Sequence, residues 1–164
     1  MNPRHAFGSL IAALAIIGFI SCSASKEVRS MKRDIKGNWV LQTVTAEGLT
    51  GVVKTTVFNE ADLGCFIGSE WSFTSNNGMG SYTLVDKSKN CTQLKRLIGW
   101  SISEPENMAK QFQFKRLDDN KNALDNGDAY RLTVVEANKN SFKLRSDINV
   151  DGKAGALIYN FVKK

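Results

Sequence analysis

The 164-residue sequence predicts an all-β fold: an eight-stranded antiparallel up-and-down barrel, with a short helix or lid-like crossover after strand one. Three observations carry the prediction. From Gly37 onward, apolar side chains recur at every second position in eight successive runs, the period of half-buried strands. Turn-forming Asn, Asp and Gly separate most of these runs, so consecutive strands run antiparallel. Eight such strands expose edges and a broad apolar face, and closing the sheet on itself hides both.

In chain order, the first segment is not part of the barrel. Arg4 precedes an almost wholly apolar run from Ala6 to Ile20, followed by small residues around Cys22, which reads as a secretory signal at residues 1–21. The run is shorter than the ~20 residues that span a bilayer. Phe19-Ile20-Ser21-Cys22 resembles the lipobox of bacterial lipoproteins. The resemblance implies cleavage before Cys22, diacylglycerol and palmitate on that residue, and an outer-membrane lipoprotein of the cell envelope, on either face. The alternative is an ordinary cleaved signal. With Cys22 lipidated, Cys65 and Cys91 remain as one pair in a compartment where a disulfide bond persists. Residues 22–36, polar and mixed in charge over Lys26 to Lys36, read as a tether.

Strand one runs from Trp39 to Thr45, with Trp39, Leu41 and Thr43 on one face. The connection from Gly48 to Gly68 is too long for a hairpin; Asn59-Glu60-Ala61-Asp62-Leu63 marks the short helix or lid. Trp71 and Phe73, then Tyr82 and Leu84, flank Asn76-Asn77-Gly78 as a hairpin. Strand four, Leu97 to Ser103, alternates around Ile98, Trp100 and Ile102; strand five, Gln111 to Lys115, around Phe112 and Phe114. After a polar loop from Leu117 to Asp128 come Tyr130, Leu132 and Val134. Phe142 and Leu144 follow the turn at Asn138-Lys139-Asn140. The last run, Ala154 to Val162, is apolar on both faces, as a strand covered on both sides would be. Pro105 falls between strands.

Gly37-Asn38-Trp39 at the head of strand one, Glu70-Trp71-Ser72-Phe73 and Leu157-Ile158-Tyr159-Asn160-Phe161 carry a further resemblance. Residues 37–164 resemble the lipocalin-like domains of small bacterial lipoproteins, which have calycin-type barrels. The resemblance implies that Gly37 and Trp39 plug the closed end, with a basic side chain, Arg145 or Arg131, across the indole face. It also implies ligand binding inside the barrel.

Composition excludes several activities. The sole histidine, His5, lies in the leader, leaving the mature chain without an imidazole for acid–base, nucleophilic or zinc chemistry. A bridge between Cys65 and Cys91 removes the free thiols. No enzyme, cofactor or metal is expected. Asp147-Ile148-Asn149-Val150-Asp151-Gly152 matches half of a calcium loop, but Ile158 stands where the twelfth-position acid belongs, so an Asp-Gly hairpin turn is expected. The oxygen-rich set Asp118, Asp119, Asn120, Asn122, Asp125, Asn126 and Asp128 reads as a solvated loop. Without its leader the chain carries 21 basic and 16 acidic residues, with no dense basic stripe for nucleic acid.

Trp71, Phe73, Tyr82, Trp100, Phe112, Phe114 and Tyr130 share the expected inner face, as core packing or as a candidate ligand pocket with Tyr82, Tyr130 and the Trp100 indole as polar handles. An eight-stranded barrel is either filled or holds one small ligand. The expected function is therefore an envelope-anchored monomer, held to the membrane through Cys22, that binds or carries a small apolar molecule. The rival is a filled barrel acting as a structural or protein-interaction module of an envelope complex.

Overall fold

The computed structural model describes residues 24–49, 51, 55–85 and 91–164. The segment read as a secretory signal, and Cys22, lie outside them. Among the described residues, eight antiparallel strands close a barrel in up-and-down order.

Helix α1, Lys26–Ile35, occupies most of the segment read as a tether. Ser25 caps it by accepting a hydrogen bond from the Val28 amide at 3.1 Å. Glu27 in its first turn and Lys32 and Arg33 in its last complement the helix dipole. Val28 and Ile35 are buried, and Met31 packs beside them against the core. This one-residue-wide stripe is obscured in the sequence by the charges around it. Tertiary burial selects the helix here, as it does for most short helices.

The barrel begins with β1, Gly37–Glu47. A two-stranded ribbon follows, β2 (Thr56–Val57) and β3 (Ala61–Asp62), which pairs with no barrel strand. Next is a one-turn helix α2, Leu63–Phe66, so the crossover contains both the helix and a lid-like ribbon. The remaining strands are β4 (Glu70–Phe73), β5 (Met79–Leu84), β6 (Leu94–Ser103), β7 (Gln111–Leu117), β8 (Tyr130–Ala137), β9 (Ser141–Val150) and β10 (Lys153–Lys163). Strand β1 pairs with β10 along most of its length and with β4 at its start, which closes the circle.

Turn chemistry behaves as expected. Asn77 Oδ1 accepts from the Met79 amide and the Thr74 hydroxyl in the β4–β5 turn. Asp151 and Gly152, both at positive φ, form the two-residue β9–β10 connection, as a type I′ hairpin requires. Thr43 departs from its expected inward position. A bulge between Leu41 and Thr43 resets the alternation; Thr43 turns outward, where its Oγ1 accepts from Asn160 Nδ2, and Val44 packs against the core. Bulges shift side chains this way because one extra residue opposes one partner.

The interior is a stack of interlocking rings. Trp39 meets Phe142 edge-on at 4.7 Å, and Phe142 stacks on Phe161 at 4.3 Å. Trp71 contacts Tyr82 at 4.7 Å and Phe161 at 5.5 Å. On β10, Ala156, Leu157, Ile158 and Tyr159 are all buried, matching the two-sided apolar run.

One end is closed by α1. The Trp39 Nε1–H donates to the Ile35 carbonyl at 2.7 Å, and the Lys163 ammonium lies 4.2 Å from the Trp39 ring centroid while donating to the Lys36 carbonyl at 2.5 Å. The cation over Trp39 is thus Lys163, in place of the expected Arg145 or Arg131. Lys163 sits directly opposite Trp39 in the β1–β10 register. Arg145 lies towards the other end and forms ion pairs with Glu47 and Asp147. Gly37, at φ +118°, completes the arrangement: a Cβ there would come within 2.6 Å of the Lys163 Nζ.

Cys65 and Cys91 form a disulfide bond that ties α2 to the head of β6. It encloses a loop of 26-residue separation, so reduction is expected to lower stability by roughly 3 to 4 kcal/mol on the loop-entropy estimate; urea denaturation with and without reductant measures this. Replacing Trp39 by alanine leaves a cavity at the closed end and an unpaired Ile35 carbonyl. A loss of about 3 to 5 kcal/mol is expected in the same assay.

Candidate functional site

The end opposite α1 is covered by the ribbon β2–β3. Its turn holds Phe58 and Asn59 at φ 54° and 48°, with the Glu60 amide bonded to the Val57 carbonyl. Asparagine tolerates this left-handed conformation, but for phenylalanine it costs roughly 1 to 2 kcal/mol. The turn drives the Phe58 ring down into the barrel mouth. There it contacts Phe114 at 4.9 Å, Phe66 at 5.3 Å, Tyr130 at 5.4 Å and Tyr159 at 5.6 Å.

Beside Phe58, Glu60 enters a buried polar cluster. Tyr82 lies opposite Arg96 across β5–β6, and Ile98 opposite Arg116 across β6–β7. Paired residues share a face, and Tyr82 and Ile98 are fully buried, so both arginines point inward. Arg96 grips Glu60 with two parallel bonds, Nε to Oε2 and Nη2 to Oε1, both 2.8 Å. Tyr82 donates to Oε2 at 2.6 Å, and Arg116 Nη1 lies 3.0 Å from the same oxygen. Arg116 makes a second fork to Asp125, at 2.8 and 2.6 Å, and the Tyr130 hydroxyl donates to Asp125 at 3.0 Å. Side-chain exposure is 7% for Glu60, 9% for Arg116, 13% for Asp125 and 21% for Arg96.

Two positive and two negative groups therefore balance inside the mouth, each with directional partners, as buried charge requires. Burial by itself would raise the Glu60 carboxyl, but the bonds from Arg96, Tyr82 and Arg116 outweigh it and hold the group below the usual carboxylate range. The Arg116 fork holds Asp125 at about 2. Burial and the bond to Glu60 push the Tyr82 phenol well up; burial and the bond to Asp125 push Tyr130 up to about 12.

A cavity of about 200 Å³ opens between the ribbon and strands β8 to β10. Phe58, Leu132, Leu157 and Ile148 supply apolar walls, and Tyr130, Arg131, Ser146 and Tyr159 supply polar groups. On the ribbon's other flank, a groove of about 380 Å³ runs between β2–β3 and the adjoining ends of β5 and β6; Glu60, Asp62, Thr92, Leu84 and Leu94 line it.

The seven aromatic residues expected on the inner face are brought together, chiefly as packing partners of one another. Phe73 contacts Trp100 and Phe112 at 5.2 and 5.5 Å, and Trp71 contacts Phe114 at 5.9 Å. The Trp100 indole is occupied near the closed end, donating to the Thr74 and Met79 carbonyls. Of the seven, Tyr130 lines the cavity. Glu60, Arg96 and Arg116 do not stand out in the sequence as site residues, and Asp125 belongs to the cluster rather than to a solvated loop. A sequence signal for the arginines exists: Arg96 precedes Ile98 by two, and Arg116 follows Phe114 by two, so extending each alternation places them inside.

No protein-family model matches the sequence, and no curated protein is significantly similar to it.

The cluster sets an acid sensitivity. Both carboxyls titrate lower in the folded chain than their ordinary values of 4.5 and 3.8, so the unfolded chain binds protons more readily. Their contribution to stability is complete above about pH 5 and is lost as pH falls through the folded values, down to about 2 for Asp125. Arg116→Met strands the Asp125 carboxylate and leaves Glu60 to Arg96 and Tyr82, and is expected to cost about 3 to 5 kcal/mol at neutral pH. Urea midpoints between pH 7 and pH 2.5, for wild type and variant, check both expectations.

Proposed function

We propose that this protein is an exported, lipid-anchored carrier that binds a small, largely apolar molecule at the barrel mouth, beneath the ribbon β2–β3. The observation that carries the reading is the cavity of about 200 Å³ beside Phe58, at the barrel end that the ribbon covers. An apolar cavity of ~150 Å³ already accepts a benzene-sized guest, so this space suits one ring or a short alkyl chain. Larger guests require Phe58 to leave the mouth. Tyr159 and Ser146 provide the few polar groups that orient a guest within apolar walls.

The anchoring half of the reading rests on the leader and Cys22. The described chain starts at Ala24, beside the closed end, so a lipid on Cys22 would hold the barrel by that end and direct the mouth away from the membrane. The interaction-module alternative draws less support, because large exposed hydrophobic side chains among the described residues are scattered singly, at Met108 and Val135.

Native mass spectrometry of the protein purified from its own envelope, with organic extraction of released material, tests the proposal. A stoichiometric apolar adduct is expected. Phe58→Ala, which empties the mouth, is expected to increase uptake of an environment-sensitive apolar dye several-fold. A clean apo mass together with no dye uptake by either form refutes the carrier reading.

A further inference from the structure

We infer that Glu60 and Phe58 act as a built-in occupant of the binding site: they hold the place of a monoanionic amphiphile whose carboxylate would bind Arg96, Arg116 and Tyr82 and whose apolar chain would lie where Phe58 now sits. The inference rests on the carrier reading and specifies its ligand class.

The donors and the acceptor belong to different parts of the molecule. Tyr82, Arg96 and Arg116 stand on β5, β6 and β7 respectively, inside the continuous hydrogen-bonded ladder of the barrel. Glu60 arrives on a ribbon whose strands pair only with each other. The ribbon can leave without breaking a barrel hydrogen bond of the strand ladder, whereas the arginines stay where β6 and β7 hold them. Their arrangement is a preformed carboxylate receptor: a bidentate fork from Arg96, a second guanidinium and a phenol converge on one carboxyl group.

Charge decides the class of ligand. With Glu60 withdrawn, Arg116 retains Asp125, and Arg96, its side chain 21% exposed, is left without its carboxylate partner. The vacated position therefore favours one negative charge. A neutral guest leaves Arg96 unpaired, and a dianion such as a phosphate monoester places its second charge near Asp125. A monocarboxylate balances the site and reproduces the Glu60 geometry.

Phe58 supplies the second half of the mimicry. Two residues before Glu60 on the same turn, it fills the apolar mouth and borders the cavity of about 200 Å³. Both side chains leave together when the ribbon moves, joining a carboxylate receptor to an apolar space. The left-handed backbone at Phe58 relaxes on release, which partly offsets the disrupted ring packing.

The test uses the chain from Ala24 onward, which holds the whole closed barrel, both of its end covers and the disulfide bond. A dansyl-labelled medium-chain fatty acid and its methyl ester are titrated into wild type, Glu60→Gln, Arg96→Gln and Phe58→Ala, each checked for native near-ultraviolet circular dichroism. The acid is expected to bind roughly tenfold or more tighter than the ester. Glu60→Gln is expected to tighten the acid further by removing its competitor, and Arg96→Gln to erase the preference for acid over ester. Equal binding of acid and ester by wild type and Glu60→Gln overturns the inference and leaves the carrier reading standing; no binding of either probe by any form overturns both. Should Arg96→Gln fail to fold, the thermal midpoint of Glu60→Ala in added propionate decides. A larger rise than in wild type supports a carboxylate receptor, and an equal or absent rise overturns it.

Discussion

Everything inside this protein depends on strand β1 being paired on both sides. Opposite Trp39 stand Trp71 on β4 and Lys163 on β10, and that double pairing turns an eight-stranded meander into a closed wall. Closure converts a period-two pattern into a radial one: a side chain on the inner face of any strand meets partners from strands across the barrel. The interlocked rings of Trp39, Trp71, Phe73, Phe112, Phe142 and Phe161 follow from that geometry. So does the burial of Arg96 and Arg116, which the same alternation carries inward.

The two ends solve one problem with different chemistry. At the closed end the backbone of α1 accepts the Trp39 indole proton, and Lys163 lies over the ring while reaching the Lys36 carbonyl. These interactions use one charge, at the rim, where desolvation is modest. At the mouth the ribbon is held by a buried four-charge cluster. Such clusters stabilise poorly for the desolvation they require, because replacing them with apolar side chains is often neutral or better. What they do provide is directionality: Glu60 is accepted in one orientation only, so the ribbon has a single closed position. A cover held by geometry-dependent bonds on a ribbon outside the strand ladder fits the proposed opening of that end, and the helix-capped, ring-packed end suits one that stays shut.

Much of this is legible in the residues. Strand order, the Asn77-Gly78 and Asp151-Gly152 turns and the Cys65–Cys91 bond all rest on local rules: period, turn preference and cysteine count. The departures share a cause. Lys163 and Arg145 are both basic residues on strands near the chain end, and only the β1–β10 register distinguishes the one that faces Trp39. Thr43 is turned outward by a bulge that no local signal at Gln42 announces. Val28, Met31 and Ile35 form a stripe too narrow to stand out among charges until a barrel end exists to bury it. Glu60 looks like a loop acid because its partners, Arg96 and Arg116, lie 36 and 56 positions further along the chain.

The sequence by itself therefore determined the class of fold and the order of its strands, since these follow from turn chemistry and short-range periodicity. Only the tertiary structure decided which end is closed, which cation covers Trp39, that most of the interior is filled, and that a carboxylate from the crossover occupies an arginine site at the mouth. Those outcomes depend on strand register and on the meeting of distant segments, and charge pairing across a barrel is a property of three-dimensional distance that no spacing along the chain encodes.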